Sequence, residues 1–427
     1  MTFITKVPRS FVSATLSAFI LEALVVPLFL ALVLRNTLKW ADCDLKKLTN
    51  YVMNKANKVF LTLVRSEAVP GNLELFQSHG FTDADLPIGL NGENGNGICS
   101  VGLDGKPKNP NGQSLNLFDD LSDATIETFF QRQWIFLAPT FRKDQFEYKF
   151  DHHCSLPFVD LQDKHPHKGG FGAVRRLGLQ IEYTDFLTFD KTDKNAKPYV
   201  EVAVKLLTST PAVDVKKFYR KEMETLEVMR SLNDDHLIQA IAVYKKGNQK
   251  CFVFPWAKGG SLQDFWGKDR TKLSRGLVAW AIAQMYGISK AIGKLHGSSE
   301  KGIRHGDIKP LNILHFHESR NGSYWGTLVV ADVGLAKLHQ DYTDLREGTT
   351  TKHGTTMYEP PEMVNFAVNT TTISRKYDAR IMAVAPRSEQ YVSKDRLRKF
   401  CLTGCSRAQQ NLMTCGETYQ TTAGDVS

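Results

Sequence analysis

The sequence predicts an α+β fold in which a helical leader precedes a small β-rich lobe and then a helical lobe. Three observations carry this prediction. From about residue 155 the apolar residues take a strand-like pattern, in Leu156–Leu161, Gly172–Ile181, Tyr199–Leu207, Ala240–Tyr244 and Cys251–Trp256. Long helical patterns lie at 213–231 and 276–296. Ahead of both, Trp40–Ala68 reads as one amphipathic helical stretch, with Leu45, Leu48, Val52, Val59, Phe60 and Leu63 set among lysines. Strands first and helices afterwards is the order of a sheet lobe followed by a helical lobe.

At 427 residues the chain is long enough for two or three domains. Its 42% hydrophobic and 23% charged content is ordinary for a globular protein. A net charge of +9 favours anionic partners such as a nucleotide or a membrane surface. The charge is too diffuse to argue for nucleic acid, and no such partner is expected. The 7 cysteines are odd in number and form no CxxC pair, which fits a reducing compartment better than a disulfide framework.

Residues 1–36 form an apolar segment. Leu16–Leu34 is interrupted only by Glu22 and Pro27 and is near the length that crosses a bilayer, so 12–34 is a candidate for membrane association. A secretory signal and a buried helix are the competing readings. The leader region runs over 37–150. Within it, 91–113 is rich in Gly, Asn and Pro, which is loop chemistry.

The residues that carry chemistry lie further on. Residues 305–312 read His-Gly-Asp-Ile-Lys-Pro-Leu-Asn, and Asp332-Val333-Gly334 follows. Together they place Asp307, Lys309 and Asn312 on one short loop and a second carboxylate, Asp332, beyond it. Phosphoryl transfer from ATP needs a base to orient the acceptor hydroxyl and oxygen ligands to hold magnesium. Upstream lie a glycine cluster, Gly169-Gly170-Phe171-Gly172 with Val174 two beyond, and Val202-Ala203-Val204-Lys205. Glu222 falls on the same helical stripe as Phe218 and Leu226, whereas Glu224 falls on the opposite side. Phe252–Leu262 contains Phe254, Pro255, Ala257 and the Gly259-Gly260 pair.

In this order the motifs resemble a eukaryotic protein kinase of the Ser/Thr branch, over roughly 155–378. The resemblance implies a bilobal kinase-like fold and ATP and Mg2+ as cofactors, with ATP and a protein substrate as partners. It implies that Asp307 is the catalytic base and Lys309 a phosphate contact. It further implies that Lys205, paired with Glu222, meets the α and β phosphates, and that Asn312 and Asp332 bind the metal. Gly169, Gly170, Phe171, Gly172, Val174, Ala203, Phe254 and Ala257 would then enclose the nucleotide. The leader segments around Gly80–Pro87 and Gln133–Phe141 resemble those that precede certain filamentous-fungal kinases. The kinase domain is expected at 151–378, cytoplasmic and anchored to a membrane if the apolar segment spans one.

The resemblance has departures. His167 stands where the first glycine is usual, and Gly306 replaces the arginine that reads a phosphorylated activation segment. Val333 replaces a phenylalanine and Pro360 an alanine. After Asp378, at the entry to the central helix of the second lobe, the sequence leaves the kinase pattern, so the helical lobe is expected to be incomplete. The tail, 379–427, is expected to be disordered or aberrant, from a frameshift or an unspliced intron. A nucleotide-binding pseudokinase, or an interaction module without turnover, is therefore the alternative function. Asp151-His152-His153-Cys154 also spells the tetrapeptide of protein acyltransferases, but without the surrounding Cys/His array.

Overall fold

The computed structural model describes residues 42–69, 71–90, 97–109, 114–162, 167–169, 172–185, 197–207, 215–267, 274–297, 303, 305, 307–317 and 325–332. The apolar segment 1–36, Gly170, Phe171, Gly306, Val333, Pro360, Asp378 and the tail 379–427 lie outside the described residues. Among the described residues no helix is long and apolar enough to cross a membrane. The chain divides into two compact units, one of 1–164, 176–202 and 242–251, the other of 165–175, 203–241 and 252–427.

The leader begins with α1 (Asp42–Lys55), α2 (Asn57–Arg65) and α3 (Leu73–Ser78), followed by a hairpin of β1 (Ile88–Leu90) and β2 (Ile98–Ser100) and by α4 (Asp123–Gln133). The single amphipathic helix read over 40–68 is in fact broken at Ala56, which leaves the helical region at φ −137°. The first turn of α2 then needs partners for its N–H groups. They come from Asp83, whose carboxylate accepts from the N–H of Lys58 at 3.1 Å and of Val59 at 2.9 Å. Burial pushes the Asp83 carboxyl above its usual range, against the opposing pull of the Val59 and Lys58 N–H groups. The loop reading of 91–113 is corrected as well, because Ile98–Ser100 pairs antiparallel with β1, Ile88 opposite Ser100. Burial of Cys99 on that short strand outweighs the turn chemistry around it.

The leader core is aromatic. Phe76, Phe81, Phe118 and Phe129 pack with ring centroids 5.2 to 6.0 Å apart, mostly edge to face. Buried against them are Leu48, Val52, Val59, Phe60 and Leu63 from one face of α1 and α2. Gln133 brings a polar side chain into this region. Gln133 is fully buried, yet its amide accepts from the Ile88 N–H at 2.7 Å and donates to the Ile88 carbonyl at 3.0 Å. It thereby supplies β1 with the pairing that a third strand would give.

The strands downstream are β3 (Glu147–Phe150), β4 (Phe158–Asp160), β5 (His167–Gly169), β6 (Gly172–Gln180), β7 (Tyr199–Leu207), β8 (Ala242–Lys246) and β9 (Gln249–Pro255). They form a seven-stranded sheet in the order β3-β8-β9-β7-β6-β4, with β5 pairing β6. The β3–β8 pair is parallel, Glu147 opposite Val243, while β4 and β5 meet β6 antiparallel.

The second unit carries α5 (Val215–Leu232), α6 (Leu262–Gly267), α7 (Arg275–Gly297) and the hairpin of β10 (Ile313–Phe316) and β11 (Thr327–Val330). α7 buries Trp280, Gln284, Ile288, Ser289, Ala291, Ile292 and Leu295, a helical stripe. Its polar groups are used, the Ser289 hydroxyl within the helix, donating to the Met285 carbonyl at 2.8 Å, and the other two across to the hairpin. The Trp280 indole donates to the Gly326 carbonyl at 2.8 Å, and the Gln284 amide oxygen accepts from the Leu328 N–H at 2.8 Å. The expected order of sheet first and helices after is present.

Asp83→Ala is expected to lower the stability of the first unit by about 1 kcal/mol, the usual cost of a lost N-cap. Asp83→Asn, which keeps an acceptor oxygen, should retain most of it, and urea denaturation of the two variants distinguishes them.

Candidate active site

A β-strand sends alternate side chains to one face, so Ala203, Lys205 and Leu207 of β7 lie together. Lys205 is 7% exposed, and a buried ammonium must be paired. Its Nζ lies 2.9 Å from Glu222 Oε1 and 2.7 Å from Asp332 Oδ1. Glu222 comes from α5, whose buried stripe is Phe218, Glu222, Leu226 and Met229, while Glu224 is exposed. A carboxylate on the apolar stripe of a helix is costly unless it meets a cation there, and Lys205 is that cation.

The charges set one another. Burial opposes the Lys205 ammonium, but Asp332 and Glu222 outweigh it and hold the group above the ordinary lysine range. For Glu222 burial prevails over the attraction of Lys205, and its carboxyl is raised. Burial would also raise Asp332, but the charge and hydrogen bond of Lys205 outweigh it, with Lys309 adding to the effect, so Asp332 is lowered. Asp332 is therefore the firm anion of the cluster.

The second part of the site is the loop at 305–312. Asp307 Oδ2 lies 2.9 Å from Lys309 Nζ, and the Asn312 amide donates to the same oxygen at 2.9 Å and to the Asp307 carbonyl at 2.8 Å. The carboxylate is thus held from two sides. The structure brings Asp307, Lys309 and Asn312 together, as it does the expected pair Lys205 and Glu222, and it adds Asp332 to that pair.

Backbone hydrogen bonds join these two clusters. Asn312 precedes β10 and Ala331 follows β11, and the antiparallel register sets Ile313 opposite Val330. One step further out, the Ala331 N–H donates to the Asn312 carbonyl at 2.8 Å. His305, fully buried, closes the ring. Its Nδ1 accepts from the Asp307 N–H at 3.2 Å, so Nε2 carries the proton it donates to the Ala331 carbonyl at 3.0 Å. Asp332 follows directly, at φ +67°, a left-handed conformation that asparagine and aspartate tolerate better than most residues. His305 is not among the site residues that the sequence picks out, and its position two before Asp307 is the available signal.

The segment after β9 is tied to the same hairpin. Gly259 N–H donates to the His315 carbonyl at 3.0 Å and His315 N–H to the Gly260 carbonyl at 2.8 Å. A Cβ on Gly259 would stand 2.6 Å from the His315 carbonyl oxygen, so only glycine allows this approach. Phe254 near the end of β9 and Ala257 beyond it are half-buried, and the Ala257 carbonyl accepts from the Gly260 N–H at 3.0 Å. Gly169 and Gly172 face each other across the β5–β6 turn, and Val174 pairs with His167. Gly170 and Phe171 lie outside the described residues.

Cys154 of the acyltransferase-like tetrapeptide is fully buried, and burial pushes its thiol up to about 11. A thiol in that state is a poor nucleophile at neutral pH.

Residues 192–381 match the protein kinase domain family. The chain is 28% identical over 196 residues to serine/threonine-protein kinase unc-51 of Caenorhabditis elegans, covering 45% of this chain and 20% of that protein. It is 29% identical over 221 residues to Aurora/IPL1-related protein kinase 2 of the same organism, covering 49% and 64%. It is 31% identical over 165 residues to the inactive leucine-rich repeat receptor-like protein kinase CORYNE of Arabidopsis thaliana, covering 34% and 38%. In each case the matched stretch spans less than two thirds of the relative.

Lys205→Met should destabilise the second unit by roughly 3–5 kcal/mol, because it leaves Glu222 without its cation. The double variant Lys205→Met/Glu222→Leu should recover part of that loss in urea denaturation. Cys154 should resist a thiol reagent in the native chain at pH 7–8. Its folded thiol titrates near 11 against an ordinary value of 9.0, so the folded state holds the proton longer. The Cys154 contribution to stability is complete below about pH 9 and is lost as pH rises toward about 11. Denaturation as a function of pH, compared with Cys154→Ala, reads this out.

Proposed function

We propose that this chain binds magnesium-ATP at the Lys205–Glu222–Asp332 cluster and transfers the γ-phosphoryl group to a Ser or Thr hydroxyl of a protein. The observation that carries the reading is that Lys205 meets Glu222 and Asp332 at once, 2.9 and 2.7 Å away, while the frame that places Asp332 also holds Asp307. The match of 192–381 to the protein kinase domain supports it.

The roles follow from what each side chain can do. Lys205, kept protonated by its two carboxylates, is the cation for the α and β phosphates. Glu222 keeps it aimed. Asp307, steadied by Lys309 and Asn312, accepts the proton of the acceptor hydroxyl and orients it, and Lys309 offers charge to the phosphate being transferred. Asn312 commits its amide NH2 to Asp307, which leaves its carbonyl oxygen as the atom that can meet a cation. With the lowered carboxylate of Asp332 this makes an all-oxygen donor pair, the chemistry magnesium prefers. Bound there, the ion would neutralise phosphate charge. Gly169, Gly170, Phe171 and Gly172 present backbone to the phosphates. Val174, Ala203, Phe254 and Ala257 enclose the base.

A second reading, a nucleotide-binding pseudokinase or interaction module without turnover, is favoured by the departure from the kinase pattern after Asp378 and by the 31% identity to a relative whose name calls it inactive. Nucleotide binding and phosphate transfer measured on one sample separate the two. Under the first reading, Asp307→Asn lowers transfer to a Ser/Thr peptide by roughly 10²–10⁴-fold while ATP binding persists. ATP binding with no transfer by the unaltered chain would overturn it in favour of the second.

A further inference from the structure

The tetrapeptide at 151–154 plays no part in the proposed reaction, and its first three residues are gathered in an unusual way. Asp151 follows the end of β3, held by a hydrogen bond from its N–H to the Leu103 carbonyl at 2.7 Å. Its Oδ1 lies 3.0 Å from His153 Nδ1 and 3.2 Å from His152 Nδ1, and it also accepts from the His153 N–H at 2.8 Å. Three nitrogen atoms converge on one oxygen that has two lone pairs. The two imidazole centroids are 3.6 Å apart, closer than aromatic rings ordinarily pack. Both rings therefore turn the same nitrogen toward one point.

That arrangement has the dimensions of a metal chelate. A tetrahedral ion with ligands at about 2.05 Å spaces them about 3.3 Å apart, close to the O···N distances of 3.0 and 3.2 Å. The third separation, between the two imidazole nitrogens, is no greater than 4.8 Å. Side-chain exposures of 22% for Asp151, 35% for His153 and 69% for His152 leave the group open to solvent on one side. On the other side Phe130 meets His153 edge-on, with centroids 5.3 Å apart, and Trp134 lies parallel to it at 6.3 Å, which limits how the ring can turn.

We propose that Asp151, His152 and His153 form a two-histidine, one-carboxylate face that binds a divalent transition metal, zinc among them, with its remaining positions open to water. Two imidazoles and one carboxylate suit zinc, nickel or copper and not the all-oxygen preference of magnesium or calcium. Cys154 is not a ligand: its thiol is buried and directed to the Ser155 carbonyl, 3.8 Å away. The site is therefore distinct from the cysteine-rich zinc domain that the tetrapeptide brings to mind, and it is independent of the magnesium-ATP reading.

Equilibrium dialysis of the untagged full chain against zinc, in excess magnesium, tests the proposal. One zinc per chain should be retained in addition to any bound elsewhere. His152→Ala removes a ligand from an exposed side chain with little to disturb in folding, and it should weaken that zinc at least tenfold, in the range seen when metal sites lose a supporting group. Asp151→Asn should do the same. Copper should quench fluorescence that Trp134→Phe abolishes. No retained zinc, or retention equal to the unaltered chain in both His152→Ala and Asp151→Asn, overturns the proposal.

Discussion

A buried ammonium shared by two carboxylates governs the second unit. Removing Lys205 and Glu222 from water costs several kcal/mol each, and only close, hydrogen-bonded pairing offsets it. Lys205, Glu222 and Asp332 come from a strand, a helix and the segment after a hairpin, and the first and last are 127 positions apart in the sequence. The cluster is tolerable only if those three pieces of backbone are placed to within a few tenths of an ångström. The demand for pairing therefore acts on the whole frame, and the excess of negative charge it leaves suits a site that receives a cation.

The frame meets that demand with backbone rather than side-chain contacts. The β10–β11 hairpin sets Asn312 beside Ala331, and His305 ties the start of its loop to the same residue. The Ile238 N–H donates to the Val330 carbonyl, and Val330 N–H donates to the His236 carbonyl, at 2.9 and 2.8 Å. Lys294 of α7 holds Asp234 at 2.7 Å, just before that segment. Each bond is modest in net energy, about 1 kcal/mol, but together they leave Asp332 few alternatives. A left-handed residue at the end of β11 is then an affordable strain.

The first unit relies on different physics. Its leader is held by apolar and aromatic packing, and two of its buried polar side chains serve distant backbone. Gln133 serves both backbone groups of Ile88, and Asp83 caps a helix from a distant loop. The Asp-His-His group at the end of β3 stands apart because there three nitrogens, of the His152 ring, the His153 ring and the His153 backbone, crowd one carboxylate oxygen.

Much of the candidate site was legible in the sequence because its chemistry is carried by local patterns. Asp307, Lys309 and Asn312 share one short loop, and the helical period alone put Glu222, and not Glu224, on the buried face. The strand at Tyr199–Leu207 was readable from alternation. The break of the first helix at Ala56 was not, because its cause, the carboxylate of Asp83, lies 24 residues from the nearer N–H it caps. The strand at Ile98–Ser100 was hidden by turn residues and exists only through its partner. The tie from His305 to Ala331, the sharing of Lys205 by Glu222 and Asp332, and the burial of Cys154 were equally invisible. Composition and period, which are properties of neighbours along the chain, determined the kinds of element and the kinds of chemistry. Which distant groups share a proton, a cap or a charge was decided only by folding, because electrostatic and hydrogen-bond energies depend on distances through space and on the exclusion of water.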